Sequence, residues 1–155
     1  MELQTDFKQA YSESLKFNKR YLYEEDDWSK VPKDFAKLME YRTFREVYNA
    51  LIHFAIERQT VTFGELARFV NRRLGEDIIP TRGSWLGRSL GEILGAINIY
   101  EYYVGRPLIS VIVINATTRK PGDGFFGLVK AMGLKLRETC EKERVFIEWG
   151  GYEER

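Results

Sequence analysis

Apolar positions between Arg42 and Arg58 recur at helical spacing. Val47, Leu51 and Ala55 share one face, with Phe44, Tyr48, Ile52 and Ile56 beside them. The pattern predicts a supporting helix there. A second helix is expected from Thr62 to about Leu74, with Leu66, Phe69 and Val70 inward and Arg68, Arg72 and Arg73 outward. Thr62 with Glu65 three residues later has the capping-box spacing, and Val61 and Leu66 are placed as its apolar staple. Gly75 can end the helix through a left-handed residue. Residues Glu76–Gly83 read as a loop broken by Pro80 and Gly83. Ser84 is the expected N-cap of a third helix, Trp85 to about Tyr100, buried through Leu86, Leu90, Ile93, Leu94 and Ile97. Gly87, Gly91 and Gly95 recur every four residues along it. Each glycine costs a helix ~1 kcal/mol relative to alanine, so a compensating benefit is expected. Close approach by another element is one such benefit. A bare backbone face laid against phosphates is the other.

Beyond that helix, Pro107–Asn115 is continuously apolar and rich in β-branched residues, which predicts a strand buried on both faces. Asn115–Gly124 is rich in turn residues, Pro121-Gly122 above all, with Thr117–Lys120 at its tip. Phe125 and Phe126 then lead back to the core. A helix is expected over Gly127–Glu143, with Leu128, Met132, Leu136 and Cys140 on its apolar stripe, so Cys140 reads as a small buried hydrophobe. Val145–Trp149 reads as a last strand before Gly150-Gly151. Ahead of all this, Phe7, Tyr11, Leu15 and Leu22 mark an amphipathic helix, an acidic run and Pro32 a loop, and Asp34–Tyr41 a short helix. Residues 1–41 are thus expected to form a helical extension on a domain spanning 42–155, with a partner-binding arm as the other reading. The predicted class is α+β, mostly helical.

Charge adds one feature. The 155 residues carry a formal net charge of only +1, so no global nucleic-acid signature exists. Residues 58–90, however, hold six arginines and three acids, a local +3, whereas residues 1–41 sum to −2. One cysteine excludes an internal disulfide, and one histidine, His53, with one cysteine argues against a zinc site. The longest apolar run, Pro107–Ile114, has eight residues, and a membrane span needs about 20. A cytoplasmic protein with no metal, no cofactor and no membrane partner is expected. Glu65, Lys120 and Asp123 form no ordered carboxylate motif of a nuclease. Pro121–Gly124 lacks the terminal Lys-Ser/Thr of a phosphate-binding loop.

With the elements placed, Val61-Thr62-Phe63-Gly64-Glu65-Leu66-Ala67 resembles the V-T-Y-G-E-L-A segment of the O6-alkylguanine-DNA alkyltransferases and alkyltransferase-like proteins. Leu86-Gly87-Arg88-Ser89-Leu90-Gly91 is similar to the start of that family's recognition helix. Pro107-Leu108-Ile109 and Gly124-Phe125 stand where its active-site segment and later glycine-aromatic motif fall. The resemblance covers about residues 42–145. It implies a winged helix-turn-helix core with a buried strand, a wing-like connection and a C-terminal helix. The family's acceptor P-C-H-R is replaced by Ile109-Ser110-Val111-Ile112. A serine without an adjacent base is a poor nucleophile, so alkyl transfer is not expected. Ser84 stands where the family has an arginine, and Gly95–Arg106 is longer than the family's link.

The expectation is therefore a non-catalytic protein binding duplex DNA through helix 84–94 and a wing at 116–124. Base-edge contacts would come from Arg82, Ser84, Trp85, Arg88 and Ser89, and backbone contacts from Arg68, Arg72 and Arg73. Phe63 and the wing residues Thr118, Arg119 and Lys120 complete the set. The alternative is a protein-interaction module that uses the glycine-lined helix and the N-terminal arm.

Overall fold

The structure, a computed structural model, describes Gln9, Ser12, residues 35–38 and residues 40–151. The expected helix around Phe7–Leu22 lies outside these residues. The described elements run α1 (Phe35–Leu38), α2 (Tyr41–Ile56), β1 (Val61–Thr62), α3 (Phe63–Leu74), α4 (Ser84–Tyr103), a 3₁₀ turn (Ile109–Ile112), β2 (Val113–Ile114), α5 (Asp123–Ala131) and α6 (Glu138–Gly150). The chain is mostly helical, with one small sheet among the described residues.

Helix α2 lies at the centre and packs on α3, α6 and the 3₁₀ turn. Its stripe Phe44, Val47, Leu51 and Ala55 is fully buried, as the periodicity requires. Leu38 of α1 is also buried against this core, so the end of the N-terminal extension is part of it. Helix α3 starts and stops where its residues dictate. The Thr62 hydroxyl accepts the Glu65 backbone N–H at 3.2 Å, and Gly75 closes the helix at φ +74°. β1 and β2 pair in parallel, Val61 with Val113 and Thr62 with Ile114.

The C-terminal third departs from expectation. Pro107–Asn115 is buried throughout Pro107–Ile114, yet only Val113 and Ile114 are strand. Ile109–Ile112 turns as a 3₁₀ helix, and its buried backbone donors find partners without a strand ladder: Val111 N–H donates to Leu108 O and Ser110 N–H to Asn98 Oδ1, each at 3.1 Å. The single helix expected over Gly127–Glu143 is two, α5 and α6, separated at Gly133, whose φ is +68°. Val145–Trp149 is helix, not strand. Glu141, Val145, Phe146 and Trp149 form the buried stripe of α6 at helical spacing. Cys140 falls off that stripe and is exposed, not buried.

Candidate nucleic-acid interface

Helices α3 and α4 are joined by a loop held by one side chain as well as by the Ile78 N–H bond to Glu76 O. Asn71, on the inner face of α3, accepts Ile78 N–H (3.1 Å) and Ile79 N–H (2.9 Å) on Oδ1 and donates from Nδ2 to Ile79 O (2.8 Å). Ile78 and Ile79 are buried beneath it. The loop then carries half-buried Thr81 and exposed Arg82. Helix α4 is capped by Gly83 at φ +83°, with no side-chain cap, and Ser84 is its first helical residue rather than the expected N-cap. Its first turn therefore offers backbone N–H groups, the arrangement that favours an anion.

Arg82, Gly83, Gly87 and Arg88 are exposed at this end. Arg68 and Arg72 lie one turn apart on α3 and share a depression of about 550 Å³ with Asn71, Glu76, Asp77 and Thr81. Arg68 reaches the same corner as the loop. A Cβ on Gly64 would stand 3.2 Å from its Nη1 and 3.5 Å from Thr81 O. Among the described residues, Arg68, Arg72 and Arg82 form no ion pair. Glu76 does not cancel them. Its carboxylate is engaged by Lys37 (2.7 Å) and Arg42 (2.9 Å), and the Lys37 hydrogen bond, followed by that of Arg42, holds it below the usual carboxyl range.

Other expected contacts are placed differently. Arg73 turns away, its guanidinium 4.8 Å above the Phe69 ring, which stacks in turn on His53 of α2. Trp85 is half-buried with Arg88 over its ring at 5.2 Å. Ser89 is buried and cannot touch a base edge, because it lies on the inward side of α4 next to Leu90 and Ile93. Thr118, Arg119 and Lys120 are exposed on a tight loop. Asn115 Oδ1 accepts Thr117 and Thr118 N–H, Asn115 N–H donates to Lys120 O at 2.8 Å, and Ile114 bridges Pro121 antiparallel. Gly122 anchors the loop against α3, since a Cβ there would meet the Phe63 ring at 3.2 Å.

Between α4 and α5 runs a groove of about 420 Å³, lined by Phe63, the three α4 glycines, Leu94, Asn98, Ser110, Asp123 and Phe125. Close packing does not explain the glycines. A Cβ on Gly87, Gly91 or Gly95 would meet nothing within 4 Å. At the floor, Asn98 and Ser110 are both buried. Asn98 Nδ2 donates to Ser110 Oγ at 2.5 Å, and its Oδ1 accepts Ser110 N–H at 3.1 Å. A carboxamide cannot take a proton, so this pairing gives Ser110 no general base.

Sequence reasoning passed over Asn71, Asn98 and the cluster below the groove. Glu101 is fully buried and receives Arg106 Nε (3.0 Å) and Nη2 (3.1 Å) as well as the Tyr48 hydroxyl. Arg106 lies between the Tyr100 and Trp149 rings, at 5.5 and 5.3 Å. Burial pushes the Glu101 carboxyl above its ordinary range, against the hydrogen bonds from Arg106 and Tyr48. Asn71 and Glu101 had one visible signal, a polar residue at a position where the helical stripe requires an apolar one. The Asn98–Ser110 pairing had none. Compared with models of protein families, with curated proteins and with solved structures, the chain matches none of them.

Proposed function

We propose that the protein binds duplex DNA without catalysing a reaction on it. The α3–loop–α4 pair is read as a helix-turn-helix, and the loop over 115–121 as a short wing. The observation that carries this is the amino end of α4, an uncapped first turn flanked by exposed Arg82 and Arg88 and preceded by a loop whose Thr81 shares a depression with exposed Arg68 and Arg72. Phosphate oxygens suit such a corner, through backbone N–H groups and guanidinium forks together. Lys120 and Arg119 extend the cationic surface from the wing side. The motif order that resembles the alkyltransferase-like proteins supports the same reading, while Ser110, paired to Asn98, offers no acceptor chemistry.

The test is electrophoretic retention of labelled duplex, single strand and RNA over a salt series. Duplex is expected to bind best. In the Arg82→Ala/Arg88→Ala variant the slope of log affinity against log salt should fall by about one unit for each phosphate that is no longer neutralised. No retention of duplex at low salt, or equal retention by the double variant, would overturn the proposal.

A further inference from the structure

Lys37 and Arg42 belong to no expected set of DNA contacts, yet both meet the cationic corner. The Lys37 ammonium stands 2.7 Å from one Glu76 carboxylate oxygen, and the Arg42 guanidinium 2.9 Å from the other. These partners lie 39 and 34 residues from Glu76 in the chain, and the backbone is fixed on both sides of the bridge. On one side the hydroxyl of fully buried Thr43 donates to Lys37 O at 2.7 Å, and Leu38 is buried in the core. On the other, Glu76 N–H donates to Asn71 O at 3.3 Å, just past the left-handed Gly75. Anchoring of this kind removes part of the entropy cost that makes exposed ion pairs weak.

We propose that Lys37 and Arg42 are positioning residues for duplex binding: by holding the Glu76 carboxylate they keep it off Arg72 and leave the Arg68–Arg72 depression cationic. The inference rests on the duplex-binding reading and adds two residues that touch no DNA in it. Arg68, Arg72 and Glu76 follow one another at four-residue spacing, and all three line that depression. Side chains four residues apart are natural ion-pair partners, so Arg72 is the cation Glu76 turns to when the other two are gone. Because the Glu76 backbone is fixed, its side-chain rotamer decides which cations it meets. Two cations on the α1 and α2 side outweigh one on the α3 side. Arg42 also reaches Glu40, but at 4.0 Å, so its closer partner is Glu76. Asp77 lines the depression as well, yet among the described residues it forms no ion pair with either arginine. Released from Lys37 and Arg42, Glu76 places a negative charge where a phosphate would lie. The groups are exposed, so the cost is a partial loss of affinity and not its abolition.

The experiment compares the full chain with Lys37→Gln/Arg42→Gln, with Glu76→Gln and with the triple variant, by retention of labelled duplex at low salt. The double variant is expected to bind about three- to tenfold more weakly than the wild type. Adding Glu76→Gln to it should restore the affinity, and Glu76→Gln alone should bind at least as tightly as the wild type. Lysine and arginine that met phosphates themselves would leave the triple variant as weak as the double one, and that result overturns the inference. Equal binding by the double variant and the wild type overturns it too. A second readout needs no nucleic acid. Pairing with a carboxylate holds the proton on a guanidinium, and phenylglyoxal attacks the neutral form. Arg72 should therefore be modified several-fold more slowly in the double variant than in the wild type, and at the wild-type rate in the triple variant. An unchanged rate in the double variant sinks the inference even where duplex is bound. A slowed rate in a chain that retains no duplex sinks the duplex reading and leaves the hold on Glu76 standing.

Discussion

The two halves of α4 are built in opposite ways. The carboxyl-terminal half is tied down by a buried charge cluster, in which Arg106 grips Glu101 with two hydrogen bonds and lies between two rings. The amino-terminal half has glycines where neighbouring side chains would fit, an uncapped first turn and exposed arginines. The carboxyl-terminal half is anchored through its inner face by that cluster, with Ile99, Tyr102 and Tyr103 exposed on its outer face, and the amino-terminal half carries the exposed arginines. Two of the three α4 glycines, Gly87 and Gly91, fall in the amino-terminal half. That contrast separates residues that hold the fold from residues that offer a surface.

The largest effect should come from breaking the fixed half. Glu101→Gln leaves a mostly buried guanidinium without its carboxylate, and about 3–5 kcal/mol of stability should disappear in denaturant unfolding. Arg106→Met should cost a similar amount with a distinct pH signature. Burial already holds the Glu101 carboxyl above its ordinary range, and Arg106 opposes that rise. Without Arg106 the folded state holds the proton more tightly still. The variant should therefore be more stable at mildly acidic pH and weaken as pH rises through the carboxyl's raised range. A destabilisation independent of pH would show that Glu101 is not the group left unpaired.

Asn71→Ala should come next. It leaves the buried Ile79 N–H and carbonyl without their Asn71 partner and the Ile78 N–H with only its bond to Glu76 O, for a destabilisation of roughly 1–3 kcal/mol by heat or by denaturant. Arginine-dependent binding at the α4 amino end should weaken in the same variant, because the loop that carries Arg82 loses its anchor. The smallest effect has the opposite sign. Gly87→Ala and Gly91→Ala add a Cβ into open space at ordinary helical backbone angles, so each should stabilise the chain by up to about 1 kcal/mol. Destabilisation there would mean that something packs on the glycines within the monomer, which would remove the contrast between the halves.

What the sequence disclosed was local. Thr62 and Gly75 bound α3 because a cap and a left-handed closure depend on a few adjacent residues. The α2 stripe was equally readable, since burial on one face writes itself as a period. The failures were tertiary. Ile109–Ile112 has the composition of a strand, but what surrounds a buried segment decides whether it pairs or coils, and composition does not report that. Val145–Trp149 is too short an apolar run to separate a period of two from one of 3.6. Only the buried Glu141, one turn earlier, completes the helical stripe. Within the expected interface, exposure of Arg68, Arg82 and Arg88 followed from their charge. The burial of Ser89 depends on where neighbouring helices lie, whereas the turning of Arg73 toward Phe69 is a contact between residues four apart on α3.

The joint made by Asn71 has a consequence for how such a chain can change. Its three bonds are spent on the backbone of Ile78 and Ile79, so the angle between α3 and α4 does not depend on which side chains follow at Thr81 and Arg82. Those positions behave like interchangeable tips on a fixed elbow. New preferences for a bound surface can be tried there one residue at a time while the two helices keep their relative orientation.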